Sequence, residues 1–374
     1  MRTIRSGVLL LGMAAGGFLQ LGIATAHEQA SARAPVVYTE TNAAGGNEIL
    51  VFQGDESGNL SLSTRVATRG TGTDGGLGNQ GALILSPGGN RLYAVNAGSN
   101  DISVFAVQGS GLTFLQKVPS GGTRPVSLTL HDNQLFALNA GDVGNISGFQ
   151  VHHDGRLQAL AGTTRLLSAA VVGPAQVQFD RDGELLVVTE KGTNKIDVYD
   201  VDDDEVSNAY VRASNGATPF GFAFDKRNHL IVSEAFGGAA GASALSSYDI
   251  DEASLPLELI SGSIRTGQSA ACWVVVTNNG RYAYTSNTGS GNISGYRVSH
   301  QGALSLLTTG GVTGVVGPGS GPTDLALGRN SRLLFSLNPP IGSIKVFSVQ
   351  SDGSLIGGSS VGGVPNTATG LVVR

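Results

Sequence analysis

Leu92-Tyr93-Ala94-Val95-Asn96-Ala97-Gly98-Ser99, followed by Ile102-Ser103-Val104-Phe105, decides the fold because the chain keeps returning to it. Leu135-Phe136-Ala137-Leu138-Asn139-Ala140-Gly141 leads into Ile146-Ser147-Gly148-Phe149. Leu186-Val187-Val188-Thr189-Glu190-Lys191-Gly192 leads into Ile196-Asp197-Val198-Tyr199. Ala283-Tyr284-Thr285-Ser286-Asn287-Thr288-Gly289 leads into Ile293-Ser294-Gly295-Tyr296, and Leu333-Leu334-Phe335-Ser336-Leu337-Asn338 into Ile344-Lys345-Val346-Phe347. Two weaker copies run from Val36-Val37-Tyr38-Thr39-Glu40 to Ile49-Leu50-Val51-Phe52, and from Leu230-Ile231-Val232-Ser233-Glu234 to Leu245-Ser246-Ser247-Tyr248. Six steps from Ile49 to Ile344 give a mean period of about 49 residues, the length of one propeller blade.

Each copy reads as four strands. The first opens beside a proline, as in Arg124-Pro125, Gly173-Pro174, Thr218-Pro219 and Gly321-Pro322, where proline removes no ladder hydrogen bond. It ends in a polar turn such as Ser86-Pro87-Gly88-Gly89-Asn90. The Leu-Tyr-Ala-Val-Asn type is the second strand and the Ile-Ser-Val-Phe type the third. An outer strand follows turns such as Asp154-Gly155 and Asp352-Gly353. The 56 glycines suit many tight turns, and no sustained helical period runs through the chain after residue 26. The expected fold is all-β, a seven-bladed β-propeller of four-stranded antiparallel blades. Its core is expected to be Val, Leu, Ala and Ile, since aromatic residues make up only 6% of the sequence.

The ends predict how the ring closes. The first copy begins at its second strand, Val36. The chain finishes on a spare first strand, Ala368-Thr369-Gly370-Leu371-Val372-Val373. The C-terminal strand should therefore complete the N-terminal blade, leaving only short edges exposed.

Arg2 and Arg5 precede an apolar run from Gly7 to Ile23, and Ala24-Thr25-Ala26 is a small-x-small cleavage pattern. Residues 1–26 are read as a signal peptide, 27–35 as a short linker and 36–374 as the propeller. The mature chain then starts at His27, has no membrane span, and is secreted or periplasmic. Losing Arg2 and Arg5 takes the net charge from −5 to −7. With no basic run, nucleic acid and anionic membrane surfaces are poor partner candidates. Asp202-Asp203-Asp204-Glu205 lacks the spacing and glycine of a calcium loop and reads as a solvated turn. Cys272 is the single cysteine, so no intrachain disulfide forms, and it reads as a buried thiol.

The candidate site follows from the repeat. The second strand ends on a polar residue in every copy: Glu40, Asn96, Asn139, Glu190, Glu234, Asn287 and Asn338. These should ring one mouth of the central channel, either capping turns or facing a ligand. Asparagine is a common turn former; the three glutamates are harder to explain that way. First-strand starts carry Arg124, Gln176, Phe220, Trp273 and Asp324, where a repeat without a site could use small residues. Trp273, the only tryptophan, is either channel filling or a stacking platform. All six histidines fall away from this mouth, which argues against a serine–histidine triad or a histidine metal site. No metal and no cofactor is expected.

On Leu83-Ile84-Leu85-Ser86-Pro87 through Tyr93, the Asn-Ala-Gly-Ser turn and Ile102-Ser103-Val104-Phe105, the chain resembles the seven-bladed propeller lactonase family. That family includes the propeller-type 6-phosphogluconolactonases and the 3-carboxymuconate-cyclising enzymes, and the resemblance spans residues 36–374. Cytosolic members commonly open one first strand with a His-Pro-His type segment and place an Asp-Leu-Gly turn after the second strand. The matching stretches here are Gly173-Pro174-Ala175-Gln176 and Glu190-Lys191-Gly192. The resemblance implies hydrolysis or formation of a lactone of a sugar or aromatic acid. Glu190 or Glu234 would be the base and Arg124 the oxyanion partner, with Trp273 and Phe220 stacking the substrate. Gln176, Asp324, Asn96, Asn139, Asn287 and Glu40 would complete the substrate site. The other reading is a non-catalytic propeller that binds a polysaccharide or partner protein. In either case a monomer is expected.

Overall fold

The computed structural model describes residues 34–374 except 56, 203–204 and 251–256. The expected signal peptide, most of the linker and the middle of the Asp202–Glu205 turn lie outside the described residues.

Seven antiparallel sheets follow one another along the chain. Blade 2 is typical, with an inner strand Leu83–Leu85, a second strand Arg91–Asn96, a third strand Asp101–Gln108 and an outer strand Gly111–Pro119. Blades 3 to 7 repeat that order from inner strands Pro125–His131, Pro174–Phe179, Pro219–Phe224, Ala271–Val276 and Asp324–Leu327. Blades 3, 4 and 6 divide the outer edge between two short strands.

Blade 1 closes the ring as the sequence predicts. The C-terminal strand Thr369–Val373 pairs antiparallel with Val36–Glu40, with Val37 opposite Val373 and Tyr38 opposite Val372. Two backbone bonds seal the corner, Arg374 N to Val36 O at 2.9 Å and Val36 N to Arg374 O at 3.2 Å.

The apolar core lies between neighbouring blades. Val95, Leu138 and Val188, from three successive second strands, belong to one buried cluster. Aromatic residues contribute more than the composition suggests: Tyr93, Tyr199, Tyr284 and Phe335 are among the largest fully buried side chains. Two of the tyrosines also join blades. Tyr93 donates its hydroxyl to Gly155 O at 3.1 Å and Tyr284 to Gly353 O at 2.8 Å, each reaching the next blade's outer hairpin. A ring that buries a tyrosine body and satisfies its hydroxyl there fixes the angle between blades.

The turns that build one face of the ring share a backbone rule. The residue before the third strand is left-handed in blades 2, 3, 4, 6 and 7, at Asn100, Gly144, Asn194, Gly291 and Gly342. The residue before the inner strand is left-handed at Arg124, Gly173, Thr218 and Ala270, with φ of 57° or 58°. Asparagine and glycine accept that geometry readily; arginine does so at a cost of order 1 kcal/mol.

Candidate functional site

The seven polar residues ending the second strands are all 0% exposed. They face into their own blades, and none lines an open mouth as the repeat had suggested. The reason is local. Most of these side chains meet the start of the third strand or the connection from the outer strand, where polar groups need partners. Asn96 is fully used: its amide donates to Asp101 Oδ1 at 2.6 Å and Ser103 Oγ at 2.8 Å, and its oxygen accepts from Thr68 and Asn47. Asn287 repeats the pattern on Asn292 and Ser294, both at 2.8 Å. Asn139 donates to Ser120 O at 3.2 Å, and Asn338 bonds within its own strand to Ser336. Glu40 accepts from Asn47 at 3.1 Å, and burial raises its carboxyl well above the usual range.

Glu190 and Glu234 do the same work with a carboxyl group. Glu190 accepts from Ser168 N at 3.0 Å, Ser168 Oγ at 2.6 Å and Thr193 Oγ1 at 2.5 Å. Glu234 accepts from Gly216 N at 2.8 Å, Ser263 Oγ at 2.6 Å and Ser246 Oγ. Carboxylates this well solvated by fixed donors are held in place as anchors of the connecting loops.

The first-strand residues separate into two groups. Gln176 and Asp324 staple blades together. Gln176 exchanges two bonds with Phe222 of the next inner strand, accepting from its N at 2.7 Å and donating to its O at 3.0 Å. Asp324 accepts from Leu325 N at 2.8 Å and from the backbone of Leu371 in the C-terminal strand. Its burial at 4% exposure pushes its pKa well above the usual carboxylate range. Arg124, Phe220 and Trp273, by contrast, gather on the face where second strands end.

They gather around a residue that the reading of the sequence passed over. Lys191 follows Glu190 and stands where other blades have Ala97, Ala140 and Ala235. Its Nζ lies 4.6 Å above the Phe220 ring, and Phe220 in turn packs on Trp273 with centroids 5.1 Å apart. The ammonium donates to Pro174 O at 3.0 Å and to Gly78 O. Neither Lys191 nor Arg124 forms an ion pair among the described residues. Burial lowers the Lys191 pKa to about 8; the Cys272 thiol opposes that shift, and the Arg124 guanidinium adds to it. Arg124 is exposed, held left-handed by its N–H on Asn100 Oδ1 at 2.7 Å. Cys272 is buried, its thiol pushed up to about 11, so it is no nucleophile at neutral pH.

The floor of this site is a strap formed by the connection between blades 1 and 2. Gln80 N bonds to Ala175 O of blade 4, and the Gln80 side chain exchanges two bonds with Val274 of blade 6 at 2.8 and 3.0 Å. Trp273 gives its indole N–H to Asn79 O at 2.6 Å, while the Asn79 side chain meets Val126 of blade 3 and Thr369 of blade 1. Residues 78–81 thus tie four blades across the channel. Two glycines make room. Gly78 is left-handed at φ 61° with Lys191 and Phe220 against it, and a Cβ on Gly221 would lie 2.1 Å from Gln80 Oε1.

Trp273 is therefore channel wall and support for Phe220, with 5% of its surface exposed. Two surface hollows, of about 430 and 750 Å3, are lined by other residues. The first adjoins Asn100 and the second sits on the rims of blades 3 and 4. Among the described residues the histidines lie at the opposite end of the blades, with His229 bonded to Asp225 at 3.0 Å. No group of three or more His, Cys, Asp or Glu suited to a metal occurs among the described residues.

Three stretches of the chain, residues 37–172, 144–268 and 237–367, match the family described as Lactonase, 7-bladed beta-propeller. No curated protein matches. Among solved structures, a protein from Lactobacillus plantarum superposes with a TM-score of 0.73 at 16% identity, covering 91% of this chain and 99% of that one. The periplasmic gluconolactonase of Pseudomonas aeruginosa gives 0.72 at 18% identity, covering 91% and 98%. Virginiamycin B lyase from Staphylococcus aureus is more distant, at 0.55 and 15% identity over 75% of this chain and 84% of that one. At these identities the likeness is one of fold.

Proposed function

Because the chain belongs to the seven-bladed β-propeller lactonase family, we propose that it opens the ring ester of a small lactone, of a sugar or an aromatic acid, beside Lys191. The observation that carries this reading is the pair of cations that have no carboxylate partner among the described residues, one of them half-buried on an aromatic ring. Ester opening needs a base for water and a positive group for the oxyanion. With its pKa lowered to about 8, the Lys191 amine is available as that base near neutral pH, and Arg124 is the oxyanion partner. Phe220, itself only 8% exposed, lies under the Lys191 ammonium and holds it in place. Glu190 and Glu234 serve by fixing the loops that carry this pair. The apolar leader and cleavage pattern, together with the periplasmic location of the Pseudomonas neighbour, support a role outside the inner membrane.

A second reading, a binding propeller without turnover, draws on the saturation of Glu190 and Glu234 by donors, which removes both as bases. One experiment separates the two. Sugar and aromatic lactones are screened for hydrolysis with wild type, Lys191→Ala and Arg124→Gly. The repeat itself uses alanine and glycine at these positions, in Ala140 and Gly173, so both variants should fold. The expected loss is about 10²–10⁴-fold for Lys191→Ala and 10²–10³-fold for Arg124→Gly. Wild-type rates should rise with pH to a plateau above about 8. Rates no greater than buffer with every lactone would leave the binding reading.

A further inference from the structure

We propose that Lys191 also captures carbonyl compounds, its amine condensing with the aldehyde or keto group of a small oxo acid whose carboxylate is held by Arg124. The inference shares its site with the lactone reading but does not depend on lactone turnover. The geometry is that of an amine prepared for addition. Gly78 O and Pro174 O accept two N–H bonds, which in the neutral amine are all it has, so the lone pair is left for an incoming electrophile. An aromatic ring lies 4.6 Å beneath the nitrogen, and a second cation stands on the neighbouring blade. A lysine that is desolvated and crowded by another cation is the arrangement that favours imine formation. Lys191 is only partly buried, so a small molecule can reach it. Arg124 brings a guanidinium fork suited to a carboxylate and, among the described residues, pairs with none.

The step balances without an oxidant. The nitrogen lone pair adds to the carbonyl carbon, both amine hydrogens leave with the carbonyl oxygen as water, and a C=N bond remains.

The test treats the folded protein with glyoxylate and sodium cyanoborohydride, which reduces the imine to a stable secondary amine, and maps the adducts by peptide mass spectrometry. Of the five lysines in the sequence, Lys191 should be modified first, at least tenfold faster than Lys117, Lys195, Lys226 or Lys345. Labelling should fall as pH drops below about 8 and the amine protonates. Arg124→Gly should slow labelling by glyoxylate several-fold more than labelling by acetaldehyde, which has no carboxylate and feels only the change in the Lys191 amine. Modification spread evenly over the five lysines, or equal in the urea-unfolded chain, would overturn the proposal. Lactone hydrolysis measured on the same samples keeps the two readings apart: an adduct at Lys191 without turnover supports capture and counts only against hydrolysis.

Discussion

Asn96 and Glu190 stand at one repeat position, and their partners show how a single substitution changes chemistry. Asn96 bonds to Ser103 on the third strand; in blade 4 the corresponding pair is Glu190 with Asp197. Both acids are 0% exposed, and neither Asp197 oxygen finds a hydrogen-bond donor. A proton on Asp197 supplies the missing bond to Glu190. Burial first, then Glu190 itself, raises the Asp197 pKa from 3.8 to about 8. A raised folded-state pKa contributes stability that is complete below about pH 4 and is lost as pH rises through about 8. Asp197→Asn keeps a donor toward Glu190 and removes the titration. Its melting temperature should therefore fall less than that of wild type between pH 5 and pH 9. Equal falls in the two proteins would show that Asp197 does not hold the proton. None of this was legible in the sequence, where Asp197 reads as an ordinary third-strand residue. Lys191 did leave a signal, a lysine where three other blades have alanine. Its environment depends on Gly78, 113 residues away, and no repeat alignment brings the two together.

Among the elements, the closing strand was the most legible, because a repeat that starts one strand late and ends with one strand to spare can close in only one way. Thr369–Val373 contributes buried Leu371 and the ladder to Val36–Glu40, and Thr367 bonds to Thr41 O at 2.7 Å. Deleting residues 366–374 should cost about 3–6 kcal/mol, since ladder bonds and apolar contacts go together. Thermal unfolding would show it as a melting point lowered by well more than two degrees, and a truncated chain that melts with full length would contradict the closure. The strap was not legible. The hydrogen bonds of residues 78–81 go to blades far away in sequence, which no local pattern shows. The buried aromatics were likewise underrated, because composition counts residues and a tyrosine fills more core than an alanine.

At the scale of the whole molecule, the ring brings neighbouring repeats together at one face. Arg124 of blade 3, Lys191 of blade 4, Phe220 of blade 5 and Trp273 of blade 6 are contributed by consecutive blades. The strap runs across the channel beside them, bonded to Lys191, Trp273 and Val274. The repeat thus placed the face, and departures from the repeat placed the chemistry. Trp273 is the only tryptophan and packs against the ring under Lys191, so its fluorescence reports on this site alone. The most direct measurement is a fluorescence titration of the folded protein with the sugar and aromatic lactones, repeated on Lys191→Ala and Arg124→Gly. The site described here predicts a saturable change with at least one lactone in wild type, weakened at least tenfold in both variants. No saturable change with any lactone, or a change of equal affinity in all three proteins, would contradict it.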